Sequence, residues 1–355
     1  MILKTNLKNN LKNKRIVLSK TNQIGDVIFA LPLAYLLKQA EPSCTIIFLG
    51  RAYTQGLINS CLDIDEFADW ESTQKLSDQD QIQAFKNLKA DIFINIHPKK
   101  AIAKLAKQAK IPMRIGTSHR IYHWLTCNKL VSVSRKKSNL HETQLDLFLL
   151  KPLGLKTFYS LEEIIPMRRF KQGVVNQGAL NLDAMNCAPT QKFNLVIHPL
   201  TRGRHIEWPL ENYAELLKYL DPEKFNIFIT GSELEGVEIR PYLIQPFSTK
   251  SHIHDLTGQL SLEELLNFLS CQTDGLICSS TGPIHLAAAF GKHVLGLYAP
   301  IKPFDAGRWG PVGSKAEVLS LNKDCSDCRD GSRCRCVGLI QVSQVIKIIR
   351  RWEAK

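Results

Sequence analysis

Between Thr273 and Pro300 the chain reads TDGLICSSTGPIHLAAAFGKHVLGLYAP, a stretch whose residue types and spacing suit it to hold an anion. Gly275 to Cys278 is an apolar run with the character of a buried strand, and Ser279 to Gly282 is a small-residue loop. Pro283 then opens a short alanine-rich helix, Ile284 to Phe290, which Gly291 closes. The first turn of a helix leaves backbone N–H groups unpaired and carries partial positive charge, so a loop this small lets an anion rest directly on them. Thr281 adds a hydroxyl and His285 an imidazole. An ordinary αβ turn without a ligand accounts for this stretch, taken alone, equally well.

The second candidate is Asp26. Arg15 to Lys20 reads as a strand, Thr21 to Gly25 as a loop, and the chain from Asp26 to Gln39 as an apolar helix. Asp26 is therefore placed to be an N-cap. It is equally placed to present a carboxylate to the crevice at the carboxyl end of the first parallel strand, where α/β proteins put their chemistry. Gly25 stands without the spaced glycines of a GxGxxG fingerprint, which argues against a nicotinamide site. Asp63 and Asp65 form an Asp-x-Asp pair of the kind that holds a metal-bound sugar diphosphate, but they fall in a loop with no further oxygen ligands nearby, and no metal site is expected there. Cys325, Cys328, Cys334 and Cys336 cluster near the carboxyl end. Zinc ligation and free or redox-active thiols are both open readings, the single residue between the last two being unusual for a zinc ribbon.

The elements that must position these groups alternate between strand and helix. Thr45 to Leu49 and Asp91 to Ile96 are strand candidates, the latter leading into His97, Pro98, Lys99 and Lys100. In the helix that follows, Lys100, Lys104 and Lys107 share one stripe and Ile102, Leu105 and Ala109 another. Arg114 to Trp124 mixes arginine, histidine and aromatic residues, a composition suited to sugar, phosphate or RNA, without an RNA-binding signature. A helix begins near His141, and 166–193 has the weak periodicity of a linker region. Asn194 to His198 restarts the alternation, as a second doubly wound domain would. A basic loop, Pro199 to Glu207, precedes a helix from Trp208 to about Leu220. Phe225 to Thr230 is a strand ending in a second small-residue loop at Gly231 and Ser232. Ser261 to Glu264 matches a capping box, and Val342 to Trp352 is a closing amphipathic helix.

With 355 residues the chain can form two core-bearing domains. No run of apolar residues is long enough to span a bilayer and the first twenty residues are too polar for a secretory signal, so a cytoplasmic location is expected. The ten cysteines then read mainly as buried thiols. The net charge of +13 is concentrated between Ile92 and His141, where eleven Lys and Arg (Lys99, Lys100, Lys104, Lys107, Lys110, Arg114, Arg120, Lys129, Arg135, Lys136 and Lys137) meet no acid. Such a field attracts nucleic acid, a membrane surface or an acidic substrate, unless it is simply a solvated face.

Four segments together resemble glycosyltransferase family 9, the heptosyltransferase-like enzymes of the lipopolysaccharide core. They are KTNQIGDVIFALPLAYLL (20–37), HPLTRGRHIEWPLENYAELL (198–217), DLTGQLSLEELLNFL (255–269) and STGPIHLAAAFGKHVLGLYAP (280–300), in the family's order. The resemblance implies a GT-B fold, two Rossmann-like doubly wound domains facing across a cleft. The acceptor domain is expected at 1–170, a linker at 171–192, the nucleotide-sugar domain at 193–340, and a final helix at 341–355 that packs back on the first domain. It implies an inverting, metal-independent transfer without cofactor, with a nucleotide-sugar such as ADP-heptose as donor and an anionic glycolipid as acceptor. Asp26 becomes the general base. Thr201, Arg202, Arg204, His205, Gly231, Ser232, Ser280, Thr281, Gly282, Pro283 and His285 become the donor site. Lys20, His97, Lys99, Lys100 and Arg120 become the acceptor site, with the basic stretch docking at the inner face of an anionic membrane and no role for nucleic acid. Ile206 and Ser280 stand where many relatives carry Lys and Asp, both in the donor pocket. A Rossmann-type oxidoreductase and a non-catalytic basic lipid- or RNA-binding protein are the competing readings.

Overall fold

Short apolar runs such as Ile16–Leu18, Ile46–Phe48 and Ile92–Ile94 are covered on both faces, which is why they lack the alternation of a half-exposed strand. The computed structural model describes residues 11–135, 138–171, 191–203, 206–302, 304–321 and 335–352. Arg204, His205, Lys136, Lys137, Cys325, Cys328, Cys334 and most of the 171–192 segment lie outside those residues. The chain divides into two units, Met1–Val174 and Val175–Lys355.

The first unit runs β1 (Arg15–Ser19), α1 (Ile24–Ala40), β2 (Thr45–Gly50), β3 (Glu66–Asp69), α2 (Asp78–Asn87), β4 (Ile92–Asn95), α3 (Lys100–Gln108), β5 (Met113–Thr117), α4 (Ile121–Thr126), β6 (Lys129–Val131) and α5 (Glu142–Leu147), with shorter helical turns between. Its all-parallel sheet has the order β3-β2-β1-β4-β5-β6. One face packs Val17, Ile47, Leu49 and Phe93 against Phe85 of α2 and Ile102 and Leu105 of α3. The α3 stripe predicted from its spacing is thus seen, with lysines outward and Ile102 and Leu105 inward.

The second unit repeats the plan: β7 (Phe193–His198), α6 (Leu210–Lys218), β8 (Phe225–Ile229), α7 (Glu233–Leu243), β9 (Ile253–Asp255), α8 (Leu262–Asn267), β10 (Gly275–Ser279), α9 (Gly282–Ala289), β11 (His293–Tyr298), β12 (Ala316–Ser320) and α10 (Val342–Trp352). Its parallel order is β12-β11-β10-β7-β8-β9. The final helix places Val345, Ile348, Ile349 and Trp352 in this unit's core beside Leu195 and Tyr213, and Trp352 stacks on Phe193 at 6.2 Å.

In both sheets the winding direction reverses next to the first strand of the unit, between β1 and β4 and between β7 and β10. A crevice opens outside the carboxyl ends of the strands at such a reversal, and ligands of α/β proteins bind there. The chain therefore directs its two sites to the residues after β1 and β4, and after β7 and β10. Among the described residues no helix is long and apolar enough to cross a membrane. Cys44, Cys61, Cys127 and Cys278 are free, buried thiols, and Cys336 is buried. Cys271 departs from the thiol reading in being disulfide-bonded.

Candidate functional site

At the first reversal, Lys20 follows β1 directly and is only 2% exposed. Its ammonium donates to Asp146 Oδ2 at 2.6 Å, and Arg135 donates to the other oxygen of Asp146 at 2.7 Å and to Glu142 at 2.6 Å. Glu142 and Asp146 are one turn apart on α5, so they share a face. That helix is fixed by a capping box between His141 and Gln144 and by the Thr143 hydroxyl, which donates to Phe29 O of α1 at 2.7 Å. Burial disfavours the Lys20 ammonium, but Asp146, Asp26 and Glu142 outweigh it and hold its pKa above the usual lysine value. Burial lifts the Asp146 carboxyl to about 6, which leaves it ionised at neutral pH.

Asp26 lies beside this network. The N-cap of α1 is Gln23, not Asp26, which occupies the third helical position and accepts a hydrogen bond from the Gln23 backbone. The capping reading of Asp26 is corrected accordingly: Ile24 and Gly25 already have helical geometry, and the carboxylate reaches back one turn. Burial raises its pKa and Glu142 adds to the rise, while the Lys20 cation opposes it. A carboxylate whose pKa is raised in this way is a stronger base than a solvated aspartate. Ser19 Oγ, Thr21 Oγ1, Asn22 Oδ1 and Asn95 Oδ1 are buried without a hydrogen-bond partner among the described residues. Buried polar atoms are rarely left so, and four at the carboxyl ends of β1 and β4 suit a polyhydroxylated ligand.

The acceptor candidates divide. Burial, with the cations of Lys20, Lys99, Arg135 and Arg120, depresses His97 to about 4, so at neutral pH it is an uncharged hydrogen-bonding group and not a phosphate counter-ion. Lys99 turns its ammonium over the Trp70 ring at 5.9 Å. Lys100 and Arg120 are exposed. Asp63 pairs with Arg169, and Asp65 with Lys38 at 2.8 Å, so the Asp-x-Asp carboxylates serve the fold. Among the described residues no group of three or more His, Cys, Asp or Glu is placed to hold a metal.

At the second reversal, Thr281 is the N-cap of α9 and Pro283 lies in its first turn. The Thr281 hydroxyl makes no capping bond to the helix and donates to Cys278 Sγ at 3.3 Å. His285 is buried within α9. Ser280 and Gly282 flank Thr281 at the end of β10. On the neighbouring strand end, Glu207 accepts from both the Thr201 N–H and the Thr201 hydroxyl, the latter at 2.7 Å. Glu235 accepts from the Arg202 N–H at 3.0 Å and from Ser232 N–H and hydroxyl, each at 2.7 Å. Ser232 is thereby the N-cap of α7, and Gly231 precedes it. Arg202 and Gly203 both have left-handed φ, near 56° and 65°, so two successive residues turn the loop back sharply. The loop is anchored by two acids while the Arg202 side chain stays exposed.

Glu142, Asp146, Glu207 and Glu235 escaped the sequence reading. Ser232-Glu233-Leu234-Glu235 carries the same capping-box spacing as 261–264 and would have revealed Glu235. No local signal marks the Lys20–Asp146 pair, which joins residues 126 positions apart.

Residues 80–337 match the family model "Glycosyltransferase family 9 (heptosyltransferase)". The chain belongs to glycosyltransferase family 9. Among relatives, the chain is 23% identical over 327 residues to the lipopolysaccharide core heptosyltransferase OpsX of Haemophilus influenzae, covering 88% of this chain and 85% of that one. A solved family 9 glycosyltransferase of Veillonella parvula superposes with a TM-score of 0.74 at 20% identity, over 97% and 98% of the two chains. E. coli ADP-heptose lps heptosyltransferase II superposes with 0.71 at 17% identity, over 96% and 98%. The fold is therefore the GT-B fold of these enzymes, and this family 9 member is a glycosyltransferase.

Proposed function

We propose that this glycosyltransferase moves a heptose from ADP-heptose onto a lipopolysaccharide core or related anionic glycolipid, with inversion and without a metal, at the inner face of the cytoplasmic membrane. The observation that carries the reading is Asp26: a carboxyl group raised in pKa by burial, at the first winding reversal, beside the Lys20–Asp146–Arg135–Glu142 network. Asp26 takes the proton of the acceptor hydroxyl as that oxygen attacks the anomeric carbon. Ser19, Thr21, Asn22 and Asn95 hold the acceptor's hydroxyls, and His97 adds a neutral hydrogen bond. Lys100 and Arg120 meet its acidic groups.

The departing ADP carries the developing charge. Its diphosphate rests on the first turn of α9 at Ser280, Thr281, Gly282 and Pro283, with His285 behind them and Arg202 closing from the neighbouring loop. Arg204 and His205 are assigned to that loop from the family motif. Gly231 and Ser232 border the nucleotide. Metal independence is supported by the engagement of Asp63 and Asp65 in ion pairs with Arg169 and Lys38. The related E. coli heptosyltransferase WaaC has been solved with ADP and with ADP-2-deoxy-2-fluoro heptose, which favours that donor over other nucleotide-sugars.

A thermal-shift panel tests the donor. ADP-heptose at about a hundred times its Kd is expected to stabilise the chain by about 2.7 kcal/mol, and UDP-sugars and NADH to give no comparable shift. A chain stabilised by NADH and not by ADP-heptose would return the oxidoreductase reading.

A further inference from the structure

We propose that α4 is a membrane-insertion element, its exposed apolar face seating in the interface of an anionic phospholipid bilayer. This rests on the membrane-facing acceptor of the preceding reading and names the part of the chain that meets the lipid. Ile121, Trp124 and Leu125 are 86%, 65% and 71% exposed. Their i, i+3, i+4 spacing puts them on one side of the helix. The other side is fixed: His123 is fully buried and its Nδ1–H donates to Thr117 O at 3.0 Å, and Thr126 and Cys127 are buried next to it. A Cβ on Gly116 of β5 would lie 2.7 Å from His123 Nδ1 and 2.8 Å from Cys127 Sγ, so helix and strand are in close contact. Trp124 is itself held, its indole N–H donating to Ser118 O at 2.9 Å. The apolar face is thus displayed by a seated helix.

Charge selects the occupant. α4 packs beside α3, which exposes Lys100, Lys104 and Lys107, and Arg120 precedes α4. No acid occurs between Ile92 and His141. The same surface of a second copy would meet it with like charge, whereas an anionic bilayer offers phosphates to the cations and acyl chains to the apolar tip. An indole with its N–H turned toward a polar partner is suited to that boundary. α4 also starts from the carboxyl end of β5, on the edge of the sheet that carries His97, whose pKa the Arg120 charge helps to lower. Seating α4 in lipid therefore brings the acceptor edge to the bilayer surface.

The test is flotation of the full chain with vesicles of phosphatidylglycerol and phosphatidylethanolamine, against phosphatidylcholine alone. The chain is expected to float with the anionic vesicles only. The triple variant Ile121→Ser/Trp124→Ser/Leu125→Ser should lose about a hundredfold in partitioning through the apolar area withdrawn from lipid. In the unaltered chain, brominated acyl chains should quench the Trp124 emission, and Trp124→Phe should remove that quenching. Flotation of the triple variant at the level of the parent overturns the proposal, as does absence of quenching. Self-association of the parent that the triple variant abolishes also overturns it, by assigning the face to a second copy. The ADP-heptose thermal shift, read on the same preparations, separates the two readings: its failure with lipid binding intact overturns the donor assignment alone.

Discussion

Asp26→Asn is expected to lower turnover by at least about a thousandfold, the upper part of the range for loss of a positioned general base, with the ADP-heptose thermal shift unchanged. The melting temperature should be held or raised. Because the Asp26 pKa is raised in the folded chain, its ionised form is the one that folding disfavours, and the isosteric amide removes that cost. Activity and stability moving in opposite directions would distinguish a catalytic carboxylate from a structural one. The same shift fixes a pH dependence. Asp26 must be ionised to act, so the acid limb of kcat/KM should lie above about 3.9, the ordinary aspartate value. Lys20 is the largest influence holding the Asp26 pKa down, so Lys20→Met should move that limb to higher pH. A limb that moves to lower pH in the Lys20→Met variant would contradict the arrangement.

Asp146→Ala is expected to destabilise the chain by about 3–5 kcal/mol, the cost of removing one partner from a buried ion pair. Lys20, 2% exposed, then loses the carboxylate its ammonium donates to and the largest of the charges that favour it, while Arg135, about a third exposed, can recover solvent. The double variant Lys20→Met/Asp146→Leu should restore most of the stability, because an apolar pair of similar volume fits where the ions were. Activity should not return with it, since the cation beside Asp26 is gone. Urea unfolding of both single variants and the double variant gives the coupling between them. A double variant as unstable as Asp146→Ala would show that the pair contributes through packing and not through charge.

Which features were legible in the chain follows from where each residue sits. Buried central strands announce themselves: the expected strands Asn194–His198 and Gly275–Cys278 each fall one residue short of the observed Phe193–His198 and Gly275–Ser279. The closing helix Val342–Trp352 has a strong apolar side and was read in full. The edge strands Glu66–Asp69, Lys129–Val131 and Ile253–Asp255 were not read, because strands paired on one side carry charged and polar residues and produce no apolar run. Arg114–Trp124 could be characterised only by its mixed composition, because a short strand and a short helix with an exposed apolar face meet there, and neither has the usual periodicity. Thr281, Gly282 and Pro283 were legible because a helix start is local. The network around Asp26 was not, since the partner of Lys20 is 126 residues away and only the fold brings it near. The loop 199–207 has a basic composition, but Glu207 and Glu235 hold its backbone at Thr201 and Arg202.

A single displacement assisted by one base has one stereochemical signature. The anomeric configuration of the sugar transferred from ADP-heptose, read by NMR on the isolated product, tests the account most directly. Inversion relative to the donor is the expected result, because in the proposed reaction Asp26 activates a hydroxyl that attacks opposite the departing ADP. A product of retained configuration would contradict it.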